Sequence, residues 1–219
     1  MIFKIWIHLI LKYKNNMKNF ESLYNKSSNI EEFTLGYINR LKSILDLLDL
    51  KSIKLLENEF ELSRKNGNTI FVIGNGGSAS TASCMVNDLG FDILKRTQIK
   101  KPFRVLSLTD NNSVLTAIGN DIGYENIFIS QLKLQYRDGD KLLVISASGN
   151  SKNIIKAANW VKKKGGKIIG FLGSSGGELL KISDIAIHAK TENDEFGPVE
   201  DTHLIINHVL AHWFTEKLK

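Results

Sequence analysis

Five short apolar runs constrain this chain more than any other feature. They occupy residues 69–73, 103–106, 142–145, 167–171 and 185–187, are rich in β-branched residues, and are bounded by Gly, Ser or Asp. Helix-length segments, residues 79–94, 112–136, 153–164 and 177–182, separate them. Strand-sized and helix-sized pieces in alternation predict βαβ units, and such units need a parallel sheet covered by helices on both faces. Ahead of the first run, Phe33, Ile38, Leu41, Ile44, Leu45 and Leu48 recur at helical spacing, which predicts two helices broken near residues 49–52. A last helix, from Phe196 to the end, carries His203, His208 and His212. The expected class is α/β, with one domain over residues 17–219.

With 219 residues and 42% hydrophobic content, the chain can bury one substantial core. Cys84 is its only cysteine, so no intrachain disulfide can form and a reducing cytoplasm is the expected location. The net charge of +6 is spread along the sequence, and the run Lys162–Lys164 falls where a helix should end. No basic motif interleaved with aromatics accompanies it, so a solvated surface is expected rather than a nucleic-acid partner. The opening apolar run, about ten residues long, is short of the roughly 20 that cross a bilayer. It also lacks a small-residue cleavage site, which argues against a signal peptide. Residues 1–16 are expected to be an accessory or non-native extension, with Met17 as the start; the other reading is a short helix packed on a partner subunit.

Two of the apolar runs end in turns built for close approach to an anion. The first is followed by Gly74-Asn75-Gly76-Gly77-Ser78 and the third by Ser146-Ala147-Ser148-Gly149-Asn150-Ser151. In parallel α/β folds these loops line the ligand crevice, and the helices they open point free N–H groups into it. Glycine admits the backbone, and serine hydroxyls donate to anionic oxygens. Neither turn has the Gly-Lys-Ser/Thr of a P-loop or the spaced dinucleotide fingerprint, so no nucleotide cofactor is expected. One such turn is often only a tight turn; two after two strands point to a phosphorylated ligand.

At these residues the sequence resembles the sugar isomerase (SIS) domain family. IGNGGSAS, LTDNNSVLTAIGNDIGYENIF and ISASGNSKNIIKA carry the likeness, which runs from about Phe33 to the C-terminus and is nearest the phosphoheptose isomerase branch. The resemblance implies a three-layer sandwich with a five-stranded parallel sheet, assembled as a homotetramer with sites between subunits. It also implies that Ser146, Ala147, Ser148 and Ser151 grip the substrate phosphate. Ala147 stands where threonine is usual and removes one hydroxyl. Asn75, Gly76, Gly77 and Ser78 would lie against the sugar, with Thr109 and Asp110 as a further contacting pair.

Aldose–ketose isomerisation needs a base for the proton beside the carbonyl and an acid to move a proton between the two enediol oxygens. The family's glutamate and histidine in those roles fall on Asp88 and His208. Some relatives bind zinc, and the matching positions are Cys84, Asp88, Glu200 and His208. Cys84 and Asp88 are four apart, on one face of an α-helix, and thiolate, carboxylate and imidazole all bind zinc. Two readings stand for Cys84, a zinc ligand or a small buried hydrophobe. Either Asp88 or Glu200 could be the base. His203 is expected to be structural or to support the site, and His212 to pack at an interface. Asp201, seven residues before His208, is expected to orient its imidazole, and the acidic loop 192–195 to alter sugar recognition. Three functions follow: an isomerase of sedoheptulose 7-phosphate serving surface-glycan synthesis, an isomerase of another phosphosugar, or a non-catalytic SIS protein like the relative that associates with the replication initiator DnaA.

Overall fold

The computed structural model of the chain describes residues 18–219; the expectations for residues 1–16 lie outside them. Three helices come first: α1 (Lys18–Lys26), α2 (Ile30–Leu45) and α3 (Leu50–Asn66). The Asn29 side chain caps α2 by accepting from the Glu32 N–H at 2.9 Å, and Glu32 returns the bond to the Ser28 N–H at 2.8 Å. This reciprocal cap satisfies one N–H that the helix leaves free and one on the residue before the cap. The break between α2 and α3 falls at residues 46–49, with Asp49 capping α3.

The sheet elements follow: β1 (Thr69–Gly74), α4 (Gly77–Met85), a π-helical stretch (Val86–Asp92), α5 (Ile93–Thr97) and β2 (Arg104–Ser107). After them come α6 (Asn112–Ile122), a 3₁₀ turn (Tyr124–Asn126), α7 (Ile127–Gln135), β3 (Lys141–Ser146), α8 (Lys152–Lys163), β4 (Lys167–Leu172), α9 (Gly177–Ile182), β5 (Ile185–His188) and α10 (Phe196–Lys217). Two predicted helices are therefore each more than one. Residues 79–94 pass through the π stretch, and residues 112–136 break at Gly123, whose φ is +93°.

All five strands are parallel, in the order β2-β1-β3-β4-β5. Alternate residues of each strand feed opposite faces. Ile70, Val72, Leu143 and Ile145 pack with Leu56, Phe60, Ile206, Leu210 and Phe214 of α3 and α10. Phe71, Ile73, Leu142 and Val144 pack with Phe128, Leu132, Ile154 and Val161 of α7 and α8. Near-continuous burial of β1 and β3 is what a sheet covered on both sides requires. This is the expected three-layer α/β sandwich. No helix among the described residues is long and apolar enough to cross a membrane.

The strand order decides where a ligand can sit. The chain leaves β1 towards β2 on one side and returns to β3 on the other, so the loops after β1 and β3 diverge at the carboxyl ends of neighbouring strands. Such a switch point leaves a crevice. Both glycine-and-serine turns emerge there.

Candidate functional site

A cavity of about 140 Å³ opens between these turns. Asn75 and Ser78 line it from the first turn, and Ser146, Ala147, Ser148 and Ser151 from the second. Glu200, Phe196, Ile145 and Ile154 complete its wall. A reciprocal amide pair holds the two turns together. Asn75 Nδ2 donates to Asn153 Oδ1 at 3.1 Å, and Asn153 Nδ2 donates to Asn75 Oδ1 at 2.9 Å. The Tyr124 hydroxyl adds a third bond to Asn75 Oδ1 at 3.0 Å. Neither Asn153 nor Tyr124 was singled out from sequence; the one available signal was an amide at the start of an otherwise apolar helical face.

The serine turn leaves donors available. Ser146 Oγ accepts from the Gly149 N–H at 3.1 Å and Ser148 Oγ from the Asn150 N–H at 3.3 Å, so both hydroxyl hydrogens can still turn to a ligand. Ser151 is the N-cap of α8 but makes no capping bond with its side chain, which leaves its hydroxyl and the first N–H groups of α8 facing the crevice. Gly149 has φ +65°, and a Cβ there would collide with the carbonyl of Gly176. Only glycine allows the turn to nest against the 173–177 loop at that angle.

The Glu200 carboxylate lies against Gly77, so close that a Cβ on Gly77 would overlap it. Burial raises the Glu200 pKa above the usual carboxylate range, and the neighbouring charge of Asp201 adds to the shift. Asp201 itself accepts a hydrogen bond from the Tyr37 hydroxyl. It therefore ties α10 to α2 and does not orient His208, as the seven-residue spacing had suggested. The Tyr37 pKa rises through burial and the Asp201 carboxylate.

Asp88 and His208 meet away from the lining of this cavity. His208 Nε2 is 3.6 Å from Asp88 Oδ2, and that oxygen also accepts from Asn207 Nδ2 at 2.6 Å. Asn87 Nδ2 donates to the other oxygen at 2.9 Å. The acid thus has one side chain on each flank and the imidazole in front. Thr109 and Asp110 belong to a hydroxyl cluster with Ser83 and Ser107, in which Thr109 Oγ1 lies 2.6 Å from Ser107 Oγ and 3.1 Å from Asp110 Oδ1. They do not line the cavity.

The zinc set is not gathered. Among the described residues no group of three or more His, Cys, Asp or Glu side chains could hold a metal ion. Cys84 is exposed, neither paired with the acid nor buried as a small hydrophobe. The helix changes to π geometry at Val86, between Cys84 and Asp88, which upsets the α-helical stacking of residues four apart. Glu200 lies on Gly77, eight residues and about 12 Å along α10 from His208. The donors as arranged within one chain do not fit a zinc centre.

The remaining polar residues have local duties. His203 is fully buried, with Nε2 3.2 Å from the Leu172 carbonyl; burial lowers its pKa to about 4, so it is a neutral structural group. His212 is exposed. Of the acidic loop, Glu195 is 1% exposed and takes both ends of the Arg40 guanidinium at 2.6 Å, clamping the loop to α2.

A family model described as SIS domain matches residues 37–173. A phosphoheptose isomerase from Aneurinibacillus thermoaerophilus is 35% identical over 192 residues, covering 87% of this chain and 89% of that protein. Phosphoheptose isomerase 2 of Campylobacter jejuni is 37% identical over 176 residues, covering 78% and 85%. The solved structure of a phosphoheptose isomerase from Neisseria gonorrhoeae superposes with a TM-score of 0.76 over 86% of this chain and 100% of that one; at 23% identity it supports the fold. The chain belongs to the SIS domain family and, within it, to the phosphoheptose isomerases, which makes it an aldose–ketose isomerase of a phosphosugar.

Proposed function

We propose that this isomerase interconverts sedoheptulose 7-phosphate and D-glycero-D-manno-heptose 7-phosphate, and that the product enters surface-glycan synthesis. The observation that carries the reading is the cavity at the switch point. Three serine hydroxyls and the start of α8 converge there on one side and the Asn75–Ser78 turn on the other, a wall suited to a phosphate ester. The names of the relatives supply the heptose.

In this reading Ser146, Ser148 and Ser151 hold the phosphate, and Asn75 to Ser78 lie along the sugar. The opposite end of the sugar, with carbons 1 and 2, extends along α10. A carboxylate takes the proton from carbon 1 of the ketose, giving the enediol. The same proton is returned to carbon 2, while an acid moves a proton from oxygen 1 to oxygen 2. Asp88 and His208 are the pair assigned to these transfers, supported by their 3.6 Å approach. Glu200, within the cavity and with a raised pKa, is the second carboxylate in reach. No step is routed through a metal, since within one chain the four donors are not gathered. A homotetramer remains part of the proposal: Leu35, Ile38, Leu55, Val209 and Trp213 are each about half exposed or more on α2, α3 and α10, an apolar surface suited to partner subunits.

Turnover of sedoheptulose 7-phosphate by the purified chain tests the reading, with Asp88→Ala and His208→Ala beside it and a chelator in a parallel arm. Turnover that is lost in both variants and indifferent to chelator is the expected result. Folded protein that never turns this sugar over, but does turn over another phosphosugar, would move the substrate and keep the chemistry. Folded protein inactive on every phosphosugar tried would leave the non-catalytic SIS reading.

A further inference from the structure

We propose that the chain carries a second anion site, a basic cleft at the amino ends of β1 and β2, which takes a small ligand bearing a diphosphate or two phosphate groups. The cleft encloses about 350 Å³ and is lined by Arg64, Lys65, Lys100, Lys101 and Arg104. These residues come from the last turn of α3 and from the segment that enters β2. The cleft lies at the opposite end of the sheet from the serine turns, about 20 Å away along six-residue strands.

Its walls are fixed before any ligand arrives. The Arg64 guanidinium reaches the Lys101 carbonyl at 3.1 Å, and the Lys101 ammonium reaches the Lys65 carbonyl at 3.2 Å, so the two segments are cross-tied. Arg104 Nε donates to Thr69 Oγ1 at 3.3 Å, leaving its outer nitrogens free. Five cations meet two carboxylates here: Glu61, which pairs with Arg64 at 2.8 Å and Lys65 at 3.3 Å, and the buried Asp140, which accepts from the N–H of Thr69, the residue that also takes Arg104. Lys100, Lys101 and Arg104 have no carboxylate within ion-pair distance among the described residues. The local balance is five minus two, a net charge of +3.

The carboxyl end of α3 gives a plainer reason for some of these cations, but not for their number. A helix terminus presents about half a negative charge, and the Lys101 ammonium already bonds the Lys65 carbonyl there. Held within a Debye length of about 10 Å, the remaining positive charge repels itself unless an anion shares the cleft. A phosphate monoester, with at most about two charges at neutral pH, would leave about a third of it uncompensated. A diphosphate matches better. Nucleic acid suits the cleft less well: single strands need aromatic faces to stack on, and Phe103, the aromatic beneath, is 5% exposed with Arg64 over its ring at 5.9 Å.

The test is calorimetric titration of the full chain with inorganic pyrophosphate at about 0.1 M salt, where the Debye length is about 10 Å. Three proteins are compared: the parent, Lys100→Ala/Arg104→Ala, and Ser148→Ala/Ser151→Ala. Lys100 and Arg104 are exposed, so the first variant should fold and turn over sugar phosphate like the parent. The proposal expects pyrophosphate affinity to fall at least about tenfold in that variant and to survive in the serine variant. Affinity unchanged in the cleft variant, or lost only in the serine variant, overturns it. So does tighter binding of a single-stranded oligonucleotide than of pyrophosphate through the same two residues.

Discussion

The two ends of the sheet collect anion-binding groups by opposite means. At the carboxyl end, neutral donors do the work: serine hydroxyls and the free N–H groups of α8, on turns that two glycines allow. At the amino end, full charges do it, on side chains set around a helix terminus. Neutral donors in a small cavity fix direction and distance, which a proton-transfer site requires. Lysines on flexible stems supply attraction over a longer range with looser geometry. The difference teaches that one fold can separate recognition for chemistry from recognition by charge.

The largest effects should come from breaking the carboxyl end. Asp88→Ala and His208→Ala should each lower kcat by about 100- to 10,000-fold, the usual worth of a general acid or base. Thermal unfolding should change little in the half-exposed His208 variant. Next comes the phosphate wall. Ser151→Ala should cost about ten- to a hundredfold in kcat/KM, the equivalent of one hydrogen bond to a charged group. Asn153→Ala sharpens the comparison differently. It leaves Asn75 without its buried partner and should cost about 1–3 kcal/mol of stability, read from a denaturant midpoint, while loosening the cavity and raising KM. If Asn153→Ala left both stability and KM untouched, the two turns would not depend on each other.

Much of the carboxyl end was legible in the sequence because its turns are local. A strand, a glycine and a serine within ten residues state their own geometry, and Asn75 and Ser78 of the first turn and Ser146, Ala147, Ser148 and Ser151 of the second line one cavity. Strand order was not legible, since apolar periodicity says nothing about neighbours; the adjacency of β1 and β3 came only with the structure. The zinc set was implied by the resemblance, and spacing supported only its Cys84–Asp88 pair; the π stretch from Val86 removed that support. Asp201 failed as a partner for His208 because a hydroxyl from α2, 164 residues away in sequence, took it first. The amino-end cleft was invisible for the same kind of reason. Arg64–Lys65 and Lys100–Arg104 are separate, unremarkable stretches until α3 and β2 bring them together.

The smallest expected effect concerns the strut between the two ends. Glu57 of α3 is 5% exposed and accepts from Lys217 at 2.6 Å and Trp213 at 3.3 Å on α10, as well as from Lys54 at 2.7 Å. Burial alone would raise its pKa, but the hydrogen bonds from Lys217, Lys54 and Trp213 outweigh it and bring the group to about 2. A carboxylate depressed on folding stabilises the fold above its unfolded pKa of about 4.5, and that contribution is lost as pH falls through 4.5 towards 2. Unfolding free energy should therefore decline over that window. Lys217→Ala should flatten part of the decline and cost under about 1 kcal/mol at pH 7, because the lysine is partly exposed. Turnover at neutral pH should stay at the parent value, since Lys217 lies nine residues beyond His208 on α10. A fall in kcat in Lys217→Ala would mean that the strut sets the position of His208. The amino-end helix α3 would then act on the chemistry at the carboxyl end, and the two ends would not be independent.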